Sequence, residues 1–225
     1  KLYVVEDTAQ AIGATYTFRN GHKQKAGCIG DIGTTSFFPS KNLGCYGDGG
    51  ALFIRDNQLA ERAHMIANHG QEIKYHHDIV GCNSRLDTLQ AAILDVKLKY
   101  LDEYTAARNQ VADRYDKELA SVKGIILPQR ANDSTHVFHQ YTIRVENHRR
   151  DELKDYLMQQ GIPSMIYYPI PLHLQKAYTK EGQGKGTFPV AEQLSEEVLS
   201  LPMHTEMKPE EQEYIIEKIH AFFNR

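Results

Sequence analysis

The stretch Thr34 to Ala51, TTSFFPSKNLGCYGDGGA, constrains this chain more than any other. Thr34 to Phe38 is a short β-like run that breaks at Pro39, which has no N–H for a sheet ladder. The chain turns through Ser40-Lys41-Asn42 and crosses a glycine-rich GDGG before an apolar strand, Ala51 to Ile54. A lysine in that turn, with an apolar strand on either side, is expected near the interior. Burial and nearby cations lower an amine's pKa from about 10.4, which makes it nucleophilic. Schiff-base chemistry with pyridoxal phosphate requires such an amine. The same spacing also suits a solvated turn lysine, the commoner state of loop lysines.

Asp7 is the residue to read beside Lys41. Leu2-Tyr3-Val4-Val5 is a short apolar run suited to a buried parallel strand, and Glu6-Asp7 follow at its carboxyl end. Ligands of open α/β sheets bind beyond the carboxyl ends of the strands. A carboxylate there can pair with a protonated ring nitrogen, favouring the charged form by roughly one to three pK units. A pyridinium accepts electrons better than a neutral pyridine, so a strand-end aspartate and a loop lysine are the minimum pair for this cofactor. Asp7 also suits the N-cap of a short helix over Ala9 to Ala14.

The motifs VVEDTAQAIGATY, SFFPSKNLGCYGDGGA, HGQEIKYHHDIVGCNSRLDTLQAAIL, YYPIPLHLQKAY and LSLPMH run along almost the whole chain. Together they resemble the DegT/StrS family of sugar-nucleotide aminotransferases. The resemblance implies an α/β fold, that of the fold-type I pyridoxal-phosphate-dependent transferases. Residues 1–105 would form the C-terminal portion of the large α/β/α domain and 106–225 a small α+β domain. It further implies that a segment preceding Lys1 supplies the first half of the large domain's sheet and part of the phosphate site. Matched residue by residue, Lys41 is the Schiff-base lysine, Asp7 the pyridinium partner and Gln10 the neighbour of the ring hydroxyl. Ser36 is a phosphate ligand, and Asn83 reaches the phosphate of the neighbouring subunit in a homodimer with shared active sites.

The implied reaction moves an amino group from an amino acid, glutamate, to a nucleotide-linked keto sugar for bacterial glycan synthesis. Lysine at position 41 separates the chain from the family's dehydratase branch, which carries histidine there. The chain most resembles members that aminate C3, above all those acting on UDP-2-acetamido-3-oxo-glucuronate. Those carry histidine before the tyrosine of the YPIP motif, where this chain has Tyr167. Arg85, Tyr167 and Tyr168 are the candidate substrate contacts, Arg85 by bidentate pairing with a carboxylate. Two other classes stay open: a truncated, non-catalytic homologue that serves as a dimerisation or binding module, and an amino-acid transferase on the same fold.

Composition narrows the field. With 225 residues, 41% apolar and 24% charged, the chain suits one large or two small globular domains. A formal charge of −3 without a basic stripe gives nucleic-acid binding no electrostatic support. No apolar run approaches the ~18 residues of a membrane span, and no secretory signal is visible. Cys28, Cys45 and Cys82 lack CxxC spacing and read as reduced cytoplasmic thiols. The eleven histidines, His76-His77 included, lack metal-ligand spacing, so no metal is expected. Glu181 to Thr187, EGQGKGT, lacks the spacing of a phosphate loop and reads as a flexible surface loop.

Periodicity predicts the remaining elements. Leu2 to Arg19 reads as strand, helix, strand, followed by a turn at Asn20-Gly21. A helix over Asp56 to Ala67 ends at Asn68-His69-Gly70, and Gln71 to Gly81 is an exposed loop. Ser84 and Asp87 have capping-box-like spacing, and one unbroken helix follows from Arg85 to Val122. Its apolar face comprises Leu86, Leu89, Ile93, Val96 and Tyr100. Strands are expected at Ile125 to Leu127, Val137 to Val145 and Ile162 to Ile170. Helices are expected at Asp151 to Gln160, Ala191 to Leu199 and Pro209 to Phe223.

Overall fold

The computed structural model describes residues 2–179 and 184–225. The EGQGKGT expectation therefore falls partly outside the described residues. The chain divides into two compact units: Lys1–Ala106 with Arg130–His139, and Ala107–Gln129 with Gln140–Arg225. Among the described residues, no helix is long and apolar enough to cross a membrane.

The first unit is built on a sheet of β1 (Val5–Asp7), β4 (Ile32–Ser36) and β5 (Gly50–Ile54), in the order β1-β4-β5. β1 runs parallel to β4, with Asp7 opposite Thr34, and β4 runs antiparallel to β5, with Ser36 opposite Gly50. Between β1 and β4 in sequence the chain forms a separate hairpin of β2 (Thr15–Thr17) and β3 (Lys23–Lys25). It turns where Asn20-Gly21 predicts: Gly21 takes φ +82°, and Asn20 Oδ1 accepts from the His22 N–H at 3.0 Å. β1 is parallel as expected but not buried. Leu2, Tyr3, Val4 and Val5 are exposed, because among the described residues β1 has a sheet neighbour on one side only.

The helix expected over Ala9 to Ala14 is instead a string of turns. Ala11 donates to Thr8 O and Ala14 to Ala11 O, and Gly13 takes φ +87°. Six residues with a left-handed glycine near their end do not repay helix nucleation. Helix α1 (Asn57–Ala67) matches its expectation closely, with Asp56 as N-cap accepting from the Leu59 N–H at 3.0 Å.

The long helix is two: α2 (Thr88–Leu98) and α3 (Leu101–Leu119). At the break the Tyr100 N–H bonds Lys97 O, an i−3 bond in place of i−4. The start also lies later than Arg85. Asp87 is the N-cap and makes no side-chain cap bond, while the Ser84 N–H goes to Ala67 O. Leu94, not Leu89 or Val96, is the residue of α2 that reaches the core. It packs with Phe37, Leu43, Cys45 and Leu101. Leu89, Val96 and Tyr100 are exposed.

The second unit holds an antiparallel sheet of β6 (Ile125–Ile126), β7 (Tyr141–Val145) and β8 (Val198–Leu201). Helices α4 (Arg150–Gln159), α5 (Pro189–Glu197) and α6 (Pro209–Phe223) accompany it. Its core comprises Tyr115, Leu119, Tyr141, Ile143, Leu153, Leu157, Leu199 and Ile219, all buried.

Three expectations are corrected here. The strand predicted from Val137 begins only at Tyr141. The helix predicted to Leu199 stops at Glu197, and 198–201 pairs with β7 instead. Leu201 precedes Pro202, which disfavours helix at that residue. Ile162 to Ile170 forms no strand, only the Met165–Ser200 bridge, because Pro163 and Pro169 withhold donors.

Candidate active site

The parallel register makes β1 and β4 end together. The Thr8 N–H and Oγ1 both donate to Thr34 O, at 2.9 and 2.6 Å, and so hold the residue after Asp7 against β4. Asp7 is exposed at this end. Its Oδ1 accepts from the Ala9 N–H at 3.1 Å, so the local cap read from the sequence does exist, although it closes a turn rather than a helix. The bond occupies Oδ1 and leaves Oδ2 for a partner outside the described residues. Gln10 is exposed in the following turn. Ser36 closes β4 at the same end, two residues beyond Thr34. Its Oγ accepts from the Phe38 N–H at 3.2 Å, which leaves the hydroxyl proton to donate elsewhere.

Lys41 follows five residues later, half-buried in a turn closed by its own N–H to Phe38 O at 2.8 Å. Around it, 42–45 is buried. Asn42 Nδ2 donates to Val137 O at 2.8 Å, and the Cys45 thiol lies 3.0 Å from Phe37 O and Gly47 O. The glycines are required by close approach. A Cβ on Gly44 would stand 2.4 Å from Pro39 O, and one on Gly50 2.8 Å from Thr35 O.

Helix α2 anchors the loop from one side. Gln90 Oε1 accepts from the Tyr46 N–H at 2.8 Å, and Lys97 Nζ donates to Gly44 O. Sequence reasoning missed both holders. Their signal is present: two long polar side chains, Gln90 and Lys97, lie seven residues apart and so on one face of the helix. Among the described residues, the Lys41 amine takes no hydrogen-bond or ion-pair partner.

Glu6, beside Asp7, fixes the loop that leads into β4. Burial pushes its carboxyl up. The N–H groups of Gly30, Gly27 and Ile29, at 2.6, 2.9 and 2.6 Å, together with the charge of Arg55, outweigh that and hold it below the usual carboxylate range.

Asp7, Ser36 and Lys41 thus come to one end of one sheet. Asn83 and Arg85 lie elsewhere in the same unit. They are exposed and joined to each other by Arg85 Nε donating to Asn83 Oδ1 at 3.1 Å, and Asn83 bridges to Asn68 at the end of α1. They line a cavity of about 800 Å³ with Thr34, Thr35, Asp48 and His64. Tyr167 and Tyr168 belong to the second unit. Their rings meet edge-on at 5.6 Å and line an apolar cavity of about 770 Å³ with Ile170, Leu172, Phe188 and Leu194. Among the described residues, no group of three His, Cys, Asp or Glu side chains is placed to hold a metal ion.

The model of the DegT/DnrJ/EryC1/StrS aminotransferase family matches residues 1–220. A "pleiotropic regulatory protein" of Geobacillus stearothermophilus is 48% identical over 227 residues, covering 99% of this chain and 58% of the relative. The "UDP-2-acetamido-2-deoxy-3-oxo-D-glucuronate aminotransferase" of Pseudomonas aeruginosa is 46% identical over 202 residues, 89% of this chain and 53% of that protein. The crystal structure of S. venezuelae DesV in complex with a ketimine intermediate superposes with a TM-score of 0.93 at 41% identity, covering 100% of this chain and 58% of that one. The chain therefore spans little more than half the length of these relatives. Its fold is that of the fold-type I aminotransferases of this family, solved members of which carry the cofactor in PLP or PMP form.

Proposed function

Because the chain belongs to the DegT/DnrJ/EryC1/StrS aminotransferase family, we propose that it supplies the lysine-bearing part of a sugar-nucleotide aminotransferase. Residues 1–105 contribute to the large domain and 106–225 form the small one. The amine comes from an amino acid, glutamate, and goes to C3 of a nucleotide-linked keto sugar for glycan synthesis. The oxo group at C3 in the name of the Pseudomonas relative's substrate supports that position. The enzyme works as a homodimer in the cytoplasm, a setting that suits three free cysteines.

The observation that carries this reading is the convergence of Asp7, Ser36 and Lys41 at the carboxyl ends of β1 and β4. The set fits pyridoxal phosphate group by group. An unpartnered amine meets a carbonyl, a carboxylate with an oxygen to spare meets a ring nitrogen, and a hydroxyl proton meets a phosphate. When bound, the cofactor supplies a carbonyl to carry the amine and a protonated ring to accept electrons.

The residues do the rest. Asp7 holds the proton on the ring nitrogen by its negative charge. The Lys41 amine would take the proton from the donor's α-carbon in the first half-reaction and, as the ammonium, would deliver a proton to the acceptor sugar's C3 in the second. Ser36 would donate to the phosphate, and Gln10 would be the residue nearest the ring hydroxyl. Asn83 serves the partner subunit's phosphate with neutral N–H donors. Arg85, Tyr167 and Tyr168 contact the sugar nucleotide.

The test is Lys41→Ala in the full-length protein. It should abolish both the visible absorbance of lysine-linked cofactor and transamination. Borohydride trapping of the cofactor on a different lysine would sink the reading.

A further inference from the structure

The proposed reaction gives no role to one largely buried hydrogen-bonded pair, His173 and Glu192. Their side chains are only 7% and 11% exposed, and His173 Nε2 lies 2.9 Å from Glu192 Oε1. The carboxylate gathers more than the histidine. The Gly186 N–H donates to both oxygens, at 2.9 and 2.8 Å, and the Phe188 N–H donates to Oε1 at 3.2 Å. The Phe188 ring meets the His173 ring edge-on at 4.9 Å. Glu192 stands in the first turn of α5, where the helix end favours negative charge.

One carboxylate therefore ties two separate segments: the 3-10 turn Leu172–Leu174, and helix α5 with the stretch 186–188 that leads into it. The 3-10 turn follows directly on the segment that carries Tyr167 and Tyr168. His173 and Phe188 are themselves walls of the apolar cavity that those tyrosines line. With Glu192 removed, the histidine would lose its partner and the two N–H groups their acceptor. Among the described residues, the edge-on contact of the His173 and Phe188 rings would then be left to hold 172–174 against 186–188.

We propose that Glu192 is a positioning residue: through His173 and the N–H groups of Gly186 and Phe188 it fixes the Tyr167-Tyr168 segment in the shape that receives the sugar nucleotide. This rests on the reading of Tyr167 and Tyr168 as substrate contacts. Glu192 touches neither substrate nor cofactor, so its effect falls on binding of the sugar and not on the half-reaction with the amino donor.

The experiment compares Glu192→Ala and Glu192→Gln with wild type in the full-length holoenzyme. Glu192→Ala should raise KM for the nucleotide sugar by about tenfold or more, the scale set by misplacing substrate-positioning groups. The amino-donor half-reaction should stay within about twofold of wild type. Amide hydrogen exchange should quicken in both 167–174 and 184–188. Glu192→Gln, which keeps one acceptor oxygen, should lie between the two, and it carries the test if the alanine variant does not fold.

Unchanged KM in both variants, or faster exchange confined to 184–188, would overturn the proposal. Tyr167→Phe and Tyr168→Phe separate the two readings. If the tyrosine variants leave KM unchanged while Glu192→Ala still raises it and loosens 167–174, the clasp stands and the tyrosine contacts fall. If the tyrosine variants raise KM and Glu192→Ala does not, the clasp falls.

Discussion

Gly44→Ala isolates how tightly the lysine turn is built. The glycine is buried, and a methyl there would stand 2.4 Å from Pro39 O, 2.8 Å from Phe38 O and 2.8 Å from Pro39 C. Ordinary carbon–oxygen contact begins near ~3.3 Å, so the Phe38-Pro39 backbone must retreat by most of an ångström. That backbone cannot yield alone. Phe38 O accepts the Lys41 N–H, and Gly44 O accepts Lys97 Nζ. Overpacking of this kind costs about 1–3 kcal/mol. A displacement on that scale at a reacting group lowers turnover by about a hundredfold. The assay is thermal unfolding together with single-turnover transamination in the full-length enzyme. Gly21→Ala is the control: no atom lies within 4 Å of its added methyl, and φ +82° makes the change a local backbone strain. It should cost about 1 kcal/mol and leave turnover alone. A Gly44→Ala enzyme with wild-type turnover and wild-type melting would refute the argument that the glycine is there for close approach.

Asp7→Asn should keep cofactor bound, since the amide preserves shape, while turnover falls by about a hundredfold or more. Cofactor absorbance and steady-state rates measured on one preparation check this, and near-normal turnover would leave Asp7 only its bond to Ala9. Acid should destabilise the protein through Glu192 and Glu6. The Gly186 N–H and His173 hold Glu192 low, and at Glu6 the backbone donors outweigh burial, so both carboxyls sit below the 4.5 of an unperturbed glutamate. A depressed folded-state pKa adds stability that is present above the unfolded pKa and lost as pH falls through the folded one. Melting temperature should therefore drop as pH is taken below about 4.5, and less steeply in Glu6→Gln; parallel pH profiles would count against it.

The sequence made the lysine turn legible because its punctuation is local: a proline ends the strand and glycines permit the close approaches. The α1 cap at Asp56 was legible for the same reason. What was missed is tertiary. No proline or glycine marks the step at Lys99-Tyr100, and the sequence 85–122 has good helical periodicity throughout. Val198 to Leu201 fits a helical period as well as a strand, and only pairing with β7 decides it. The apolar run before Asp7 gave the strand and its direction but not its exposure, because exposure depends on what lies beside it. His173 and Glu192 are 19 residues apart, and nothing local announces that they meet. The candidate residues fall in three groups, Asp7 with Ser36 and Lys41, Asn83 with Arg85, and Tyr167 with Tyr168, and of these the sequence had assigned Asn83 to the neighbouring subunit's site.

Helix α2 has a consequence for how the proposed dimer tolerates motion. Asn83 lies just before its N-terminus, and Gln90 and Lys97 on its body grip the loop that presents Lys41. Eleven helical residues make a rod of about 16 Å. Asn83 itself is docked on the end of α1, by its bridge to Asn68 and by the Ser84 N–H to Ala67 O, and only residues 84–87 join it to the rod that mounts Lys41. A slide or roll of α2 would therefore disturb the mount of the lysine while the contact proposed for Asn83 stayed anchored on α1, so each reaction centre of the proposed dimer would depend on two helices and not on one.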